Sequence, residues 1–202
     1  DDTVHEGVII LNSMTLLLED EIHYKLYFNI ANMSVSEADM GLIIWDEEPL
    51  LATIDGGGTV IEGAVYVPVS GQYAVSTMSV PAKNMADLKY MVVYARQGDG
   101  SYVYSKLLTY SAKTYCLNRV QKSSDENMRA LCVAMMNYGA AAQEFFAAHG
   151  DYTYTELMNV GFEDYQYLVQ PYQNDLLNMP TAVDPAKAGT LGTAVNGFTS
   201  RS

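Results

Sequence analysis

The hydrophobic residues of this chain follow two different periods, and the change falls near residue 111. In the segment IHYKLYFNI (22–30), apolar or aromatic side chains alternate with more polar ones, which is the pattern of a strand buried on one face. After residue 111, apolar residues recur every three or four positions, which is the period of an amphipathic helix. The sequence therefore predicts an α+β fold, with a β-rich part followed by a helical part.

The β-rich part is predicted to cover residues 7–110. The aliphatic segment 7–21 predicts one long strand or two short ones. The pattern beyond 22–30 predicts five further strands, at 40–46, 60–68, 72–80, 87–96 and 100–111. The QGDG turn between the last two contains Asp-Gly, which is a hairpin signal. About seven short strands joined by turns favour an antiparallel, β-sandwich-like arrangement.

The helical part begins with a predicted hairpin of two helices. The first helix is expected at 111–121 and the second at 122–150. Ser123 and Glu126 have the spacing of a capping box at the start of the second helix. Gly150 stands where a left-handed residue would end it.

The two parts are expected to form a single module over residues 1–178, in which the helical segment 111–178 contains the hairpin and further short helices and packs against the sandwich-like part. Residues 179–202 are rich in Pro, Ala, Gly and Thr and lack periodicity, which predicts a linker or tail.

The second helix carries some of its smallest side chains within its apolar stripe. That stripe is expected to face the core and consists of Met128, Leu131, Cys132, Met135, Gly139, Ala142, Phe145 and Phe146. A glycine inside a helix costs about 1 kcal/mol relative to alanine. We therefore expect close packing against a neighbouring backbone at Gly139, and the alternative is a ligand crevice over the glycine.

The charge of the chain bears on its partners. Its 202 residues include 24 acidic and 11 basic ones, which gives a formal net charge of −13. A surface of this sign repels phosphate backbones and anionic lipid heads, so we expect neither nucleic acid nor a membrane surface as a partner. The sequence also lacks a run of about 20 apolar residues, so no membrane insertion is expected.

Four segments carry a family resemblance, namely YVYSKLLTYSAKTYC, SSDENMRALCVAMMNYGAAAQEFF, SMTLLLEDEIHYKLYFNI and GLIIWDEEP. The second of them contains an LNYGAAAQ-like signature, MNYGAAAQ at 136–143. These segments resemble a repeat module of secreted and cell-wall-linked surface proteins of gut Clostridia (Lachnospiraceae and Ruminococcaceae). The resemblance implies an extracellular or cell-surface location and neighbouring modules in the same chain. It supplies no catalytic residues, and it implies adhesion, glycan attachment or binding of host proteins, including immunoglobulins.

The two cysteines lie at equal distances in sequence from the expected turn between the helices. Cys116 and Cys132 are each eight residues from Ser124, and eight residues of helix rise about 12 Å. An antiparallel hairpin would bring the two side chains together. A disulfide and a pair of packed thiols remain alternatives.

The other reactive residue types do not form a recognisable motif. His5, His23 and His149 are too scattered for a zinc site. The acidic runs at 19–21 and 46–49 could serve glycoside hydrolysis or calcium binding, but solvated turns are the simpler interpretation. We expect no enzyme activity, no catalytic residue, no metal and no cofactor.

The aromatic residues are the remaining candidates for ligand binding. The chain has 16 tyrosines and a single tryptophan. The candidates are Trp45, Tyr90, Tyr94, Tyr102 and Tyr104. Such rings offer a large contact area at low entropic cost. The leading hypothesis is a non-catalytic extracellular recognition or adhesion module that binds a host protein, and the alternative is a carbohydrate-binding module. A spacer without a ligand is the third.

Overall fold

The fold is known from a computed structural model, which describes residues 6–18, 21–77, 79–150, 153–154 and 156–169. The strands, in chain order, are β1 (Val8–Leu18), β2 (Ile22–Ala31), β3 (Met40–Trp45), β4 (Thr59–Glu62), β5 (Val65–Val67), β6 (Gln72–Ser76), β7 (Lys89–Arg96), β8 (Tyr102–Tyr104) and β9 (Leu108–Tyr110). Two helices follow, α1 (Ala112–Lys122) and α2 (Glu126–Ala148).

The first sheet has the strand order β1-β2-β6-β5, and all of its pairings are antiparallel. Within the segment 7–21, residues Val8–Leu18 form one long strand, β1, which pairs with β2 along its length and contains a β-bulge after Leu11. The alternation predicted for 22–30 is confirmed, because every second side chain at the centre of β2 is buried, namely Tyr24, Leu26 and Phe28.

The second sheet has the strand order β4-β3-β7-β8, and β9 also pairs with β7. The predicted strand at 100–111 is in fact two short strands, β8 and β9, along one edge of β7. Ser105 joins them: its N–H donates to the carbonyl of Val93 at 2.9 Å, and its Oγ accepts from the N–H of Val93 at 3.0 Å. A side chain thus replaces one backbone hydrogen bond of the ladder.

The two sheets and both helices share one hydrophobic core. Its largest fully buried side chains include Tyr24, Phe28, Leu42, Met91, Met136 and Phe162. The predicted α+β fold is confirmed: strands end at Tyr110, and the helical hairpin begins at Ala112. The hydroxyl of Tyr24 in β2 accepts from the N–H of Ala112 at 2.8 Å, which fixes the start of α1 on the first sheet.

The predicted strand at 60–68 is wrong, because this segment contains two strands that belong to different sheets. β4 pairs with β3 in the second sheet, whereas β5 pairs with β6 in the first. The break falls at Gly63, whose φ of 84° is in the left-handed region, and Ala64 is buried where the chain crosses. The hydrophobic pattern continues through the crossing, so the pattern alone conceals it.

The predicted capping box of α2 is also wrong. Asp125 is the N-cap residue, and its carboxylate accepts from the N–H groups of Asn127 at 2.9 Å and Met128 at 3.3 Å. Ser123 still belongs to the end of α1, where its N–H donates to the carbonyl of Arg119. The predicted end of α2 is confirmed, since Gly150 follows it with a φ of 78°.

The inner face of α2 differs from the predicted stripe. Its buried residues are Cys132, Val133, Met136, Gly139, Ala140 and Gln143. Of the predicted stripe, only Cys132 and Gly139 are buried, and Leu131 and Phe145 are exposed. Close packing at Gly139 fits the prediction: a Cβ there would lie 2.8 Å from Met85 Cε and 3.1 Å from the carbonyl oxygen of Ala82.

The buried side chain of Gln143 explains why the inner face of α2 differs from the predicted stripe. Its Nε2 donates to the carbonyl of Glu156 at 3.0 Å, and its Oε1 accepts from the N–H of Met158 at 3.0 Å. These bonds hold the segment after α2 against the helix, and Lys113 donates from the other side to Glu156 and to the carbonyl of Leu157, both at 2.8 Å. A buried glutamine with satisfied bonds therefore occupies the inner face.

A 3-10 helix, Glu163–Leu168, ends the described chain. Phe162 and Val169 on either side of it belong to the core. The predicted linker at 179–202 and the end of the predicted module at 178 lie outside the described residues. Within the described part of the chain, none of the helices combines the length and the apolarity that crossing a membrane requires.

Candidate functional site

The five aromatic residues predicted to bind a ligand lie together on the outer face of the second sheet. They form a small second cluster with Ile43 and Val92, on the side of β3 and β7 away from the main core. The pleat explains this placement, because alternate residues of a strand point to opposite faces. The sequence therefore identified the members of one cluster, but their exposure differs greatly.

Trp45 lies beneath the segment 51–58, which we call the covering loop. The tryptophan is 8% exposed, and its indole N–H donates to the carbonyl of Gly56 at 3.0 Å. A Cβ on Gly58 would lie 2.5 Å from the indole ring, so the loop passes over the ring with no space for a side chain. Ala52 and Ile54 of the covering loop pack against the same cluster. The indole serves the fold and is not displayed to a ligand.

Tyr94 is also held within the cluster. It is 5% exposed, and it stands directly opposite Gly41 in the β3–β7 pairing. The absence of a side chain on Gly41 gives the phenol room, since a Cβ there would lie 2.6 Å from the hydroxyl of Tyr94. Burial is the largest cause that raises the pKa of Tyr94, followed by the negative charge of Glu62.

Tyr90, Tyr102 and Tyr104 are partly exposed. The rings of Tyr102 and Tyr104 stack with centroids 6.0 Å apart and an interplanar angle of 14°. The hydroxyl of Tyr104 accepts from the N–H of Ile54 at 3.2 Å, so this tyrosine supports the covering loop. The predicted ridge of same-face tyrosines exists, but its rings contact each other and the covering loop.

An acidic cleft of about 760 Å³ opens beside Tyr90. Its charged lining residues are Asp46, Glu47, Glu48, Asp87, Lys89 and Glu156. Lys89 pairs with Asp46 at 2.5 Å, and Tyr154 forms part of another wall. Carboxylates next to tyrosine rings suit a ligand with hydroxyl groups or a positive charge. The acidic run at 46–49 thus lies at the rim of this cleft, in an exposed turn.

The two described histidines lie on different elements, His23 in β2 and His149 at the end of α2. His23 contacts the carbonyl of Thr77 at 2.9 Å, and His149 contacts the carbonyl of Phe145 at the end of α2. His5 lies outside the described residues, as does most of the acidic run at 19–21. Among the described residues, no group of three or more His, Cys, Asp or Glu side chains could hold a metal ion.

The outer face of α2 is a second candidate surface, which the sequence reasoning did not identify. Its exposed side chains follow the heptad spacing of a helix seam, at Leu131, Ala134, Tyr138, Ala141 and Phe145. Tyr138 is 68% exposed, Phe145 58% and Leu131 42%. The stripe from Leu131 to Phe145 is about 21 Å long. It is an apolar strip on the surface of a strongly acidic protein.

The composition of α2 contained the signal for this surface. Between Arg129 and Glu144 the sequence has no charged residue over nearly four turns of helix. A surface helix normally carries charged residues on the face opposite the core. Since one face of α2 packs on the core, a charge-free segment of this length leaves an uncharged face in solvent.

The flanks of this stripe are fixed by contacts within the chain. On one side, Asn137 and Gln166 exchange two hydrogen bonds of 2.7 and 3.1 Å with each other. At the C-terminal end, the ring of Phe145 lies 4.2 Å from the imidazole of His149 and 5.4 Å from the ring of Phe146. One flank of the stripe is therefore tied to the 3-10 helix through Gln166, and the C-terminal end of the stripe packs against the last turn of α2.

Comparisons with models of protein families, with curated proteins and with solved structures gave no match to this chain. The resemblance to the clostridial surface module therefore stays a prediction.

Proposed function

We propose that this chain is a non-catalytic extracellular recognition module that binds a protein partner through the outer face of α2. The observation that carries the proposal is the exposed, uncharged stripe of Leu131, Tyr138 and Phe145. Aromatic residues in an apolar strip are typical of the centre of a protein interface, where charged residues are scarce. The resemblance to surface modules of gut Clostridia makes a host protein, such as an immunoglobulin, the expected partner.

The charge of the module restricts the partner further. With a net charge of −13, the surface around the stripe favours a partner that surrounds its own apolar patch with basic residues. Encounter with such a partner is accelerated at low salt and slowed by added salt, whereas the apolar contact itself depends little on salt. Association that slows as salt is added is therefore expected.

Binding assays on variants of the outer face test this proposal. We expect Tyr138→Glu to weaken binding to a purified host protein by at least about tenfold, because a buried charge replaces a central aromatic contact. Leu50→Glu is the matched control, since Leu50 is fully exposed in the loop before the covering loop. Immunoglobulin and fractionated host secretory proteins are the probes. An equal loss of affinity in both variants, or an affinity that is unchanged in Tyr138→Glu, would contradict the proposal.

The acidic cleft supports a second candidate, which is binding of a carbohydrate. A sugar ring would stack on Tyr90 and Tyr154. The carboxylates would accept hydrogen bonds from its hydroxyls, and the amide of Asn84 would donate or accept them. A glycan array distinguishes the two candidates. Glycan binding that is lost in Tyr90→Ala and kept in Tyr138→Glu would favour the carbohydrate-binding function, and the reverse pattern on protein probes would favour the first.

A further inference from the structure

Cys116 of α1 and Cys132 of α2 meet inside the helical hairpin. The two residues are 0% and 1% exposed, and both belong to the main core. The register of the hairpin is set by Arg129, whose Nε donates to the carbonyl of Val120 at 2.9 Å. Cys116 lies about one helical turn before Val120 in α1, and Cys132 lies about one turn after Arg129 in α2. Each thiol shifts the pKa of the other, as expected for neighbouring side chains within the hairpin.

We propose that Cys116 and Cys132 form a disulfide that cross-links α1 to α2 when the protein folds in an oxidising environment. Both cysteines are thiols in the structure. In the reaction, the two thiols lose two protons and two electrons, and one S–S bond forms. The oxidant is a low-molecular-weight disulfide, such as oxidised glutathione, which accepts both electrons and is released as two thiols.

Each thiol changes the pKa of the other. A hydrogen bond from Cys116 lowers the pKa of Cys132, and the charge of Arg119 acts in the same direction. The same hydrogen bond raises the pKa of Cys116, and burial raises it further. One of the two thiols ionises and attacks the oxidant, which forms a mixed disulfide and releases one thiol. The sulfur of the other cysteine then attacks this mixed disulfide, gives up its proton and releases the second thiol.

Burial gives the cross-link two properties. An oxidant reaches the pair readily while the hairpin is forming and slowly after it has closed, since neither side chain is exposed in the folded chain. A reductant is excluded for the same reason, which makes the disulfide persistent. The cross-link closes a loop of residues 117–131 and so restricts the unfolded chain. This inference does not rest on the proposed function.

The test is to refold the full chain with a mixture of reduced and oxidised glutathione and to compare it with a sample kept in a reductant. We expect the oxidised sample to lose the mass of two hydrogen atoms and to show no free thiol after unfolding. Peptide mapping should join the peptide of Cys116 to that of Cys132. For a loop of this length, the Tm should rise by roughly 6–12 °C over that of the reduced sample.

Two further results separate the disulfide from other effects of oxidation. Cys116→Ser should show the same Tm with and without oxidant, and its Cys132 should remain a thiol or carry a single glutathione. In the wild-type chain, two reactive thiols after refolding with oxidised glutathione would overturn the proposal. A mixed disulfide with glutathione on either residue, without the internal link, would overturn it as well. Because these measurements on the wild type need no variant, a variant that fails to fold does not affect them.

Discussion

The outer face of the second sheet and the outer face of α2 are both apolar, but the chain covers only the first. On the sheet, the covering loop hides Trp45, and the hydroxyl of Tyr104 holds that loop in place. On α2, Tyr138 projects from a stripe that carries no charge, and the tyrosine is 68% exposed. Aromatic content therefore identifies a binding surface only when the rings are not already occupied by the chain's own backbone.

This comparison has an energetic consequence. Residues of the covered face contribute to folding, because water is excluded from them only in the folded chain. Tyr138 and Phe145 on the open face leave most of their area in water in both states, so they contribute little until a partner arrives. Substitutions on the two faces should separate stability from binding.

The largest effect is expected for Trp45→Ala. Removing a buried tryptophan also removes the hydrogen bond to Gly56 and the contact with Gly58, so the free energy of unfolding should fall by about 3–5 kcal/mol. Urea denaturation measures this change. A loss below about 1 kcal/mol would show that the covering loop does not depend on the indole.

The next effect is expected at Gly139 on the inner side of α2. Gly139→Leu should lower the free energy of unfolding by about 1–3 kcal/mol or more, because the new side chain meets Met85, Met158 and the carbonyl of Ala82. Gly98→Ala is the control, since a Cβ there meets nothing within 4 Å. A thermal melt that is the same for both variants would refute close packing on this side of α2.

A smaller effect is expected for Tyr104→Phe, which keeps the ring and removes one hydroxyl. The N–H of Ile54 would lose its acceptor, and the free energy of unfolding should fall by about 1 kcal/mol. Tyr102→Phe leaves that hydrogen bond in place and serves as the reference. Hydrogen exchange of the Ile54 amide reports on the covering loop directly, and unchanged protection would argue against this anchoring role.

The smallest effect on stability is expected for Tyr138→Ser. Because the side chain is 68% exposed, the free energy of unfolding should change by less than about 0.5 kcal/mol. The comparison predicts that binding of a protein partner weakens strongly in the same variant. A large loss of stability would mean that Tyr138 belongs to the folded framework, and the distinction between the two faces would fail at this position.

The sequence predicted those features that depend on local periodicity. The alternation in β2 and the helical spacing in α2 follow from which side chains are buried, so both elements were predictable. The crossing at Gly63 was not, because it depends on a backbone conformation that the apolar pattern around it does not encode. The inner face of α2 does not follow from apolar spacing, because it includes the polar residue Gln143. Only the hydrogen-bond partners of Gln143 in the segment after α2 account for its burial.

The candidate site shows the same division. The five aromatic residues share a face, as strand alternation predicts, but the burial of Trp45 depends on the covering loop, which has no periodicity. Conversely, helical spacing and apolar character predict Leu131 and Phe145 in the core, and both are exposed. The absence of charge over 130–143 was the better guide to the outer face, since it constrains both sides of the helix at once.

The anchoring of the segment after α2 has a practical consequence for anyone who expresses this protein in pieces. A chain cut after His149 would lose Met158, Phe162 and Val169, all of which fill the core. It would also remove the hydrogen-bond partners that residues 156–158 provide to the amide of Gln143 and the ammonium group of Lys113. Fragments that stop at the last turn of α2 should aggregate, and the shortest stable fragment should extend at least to Val169.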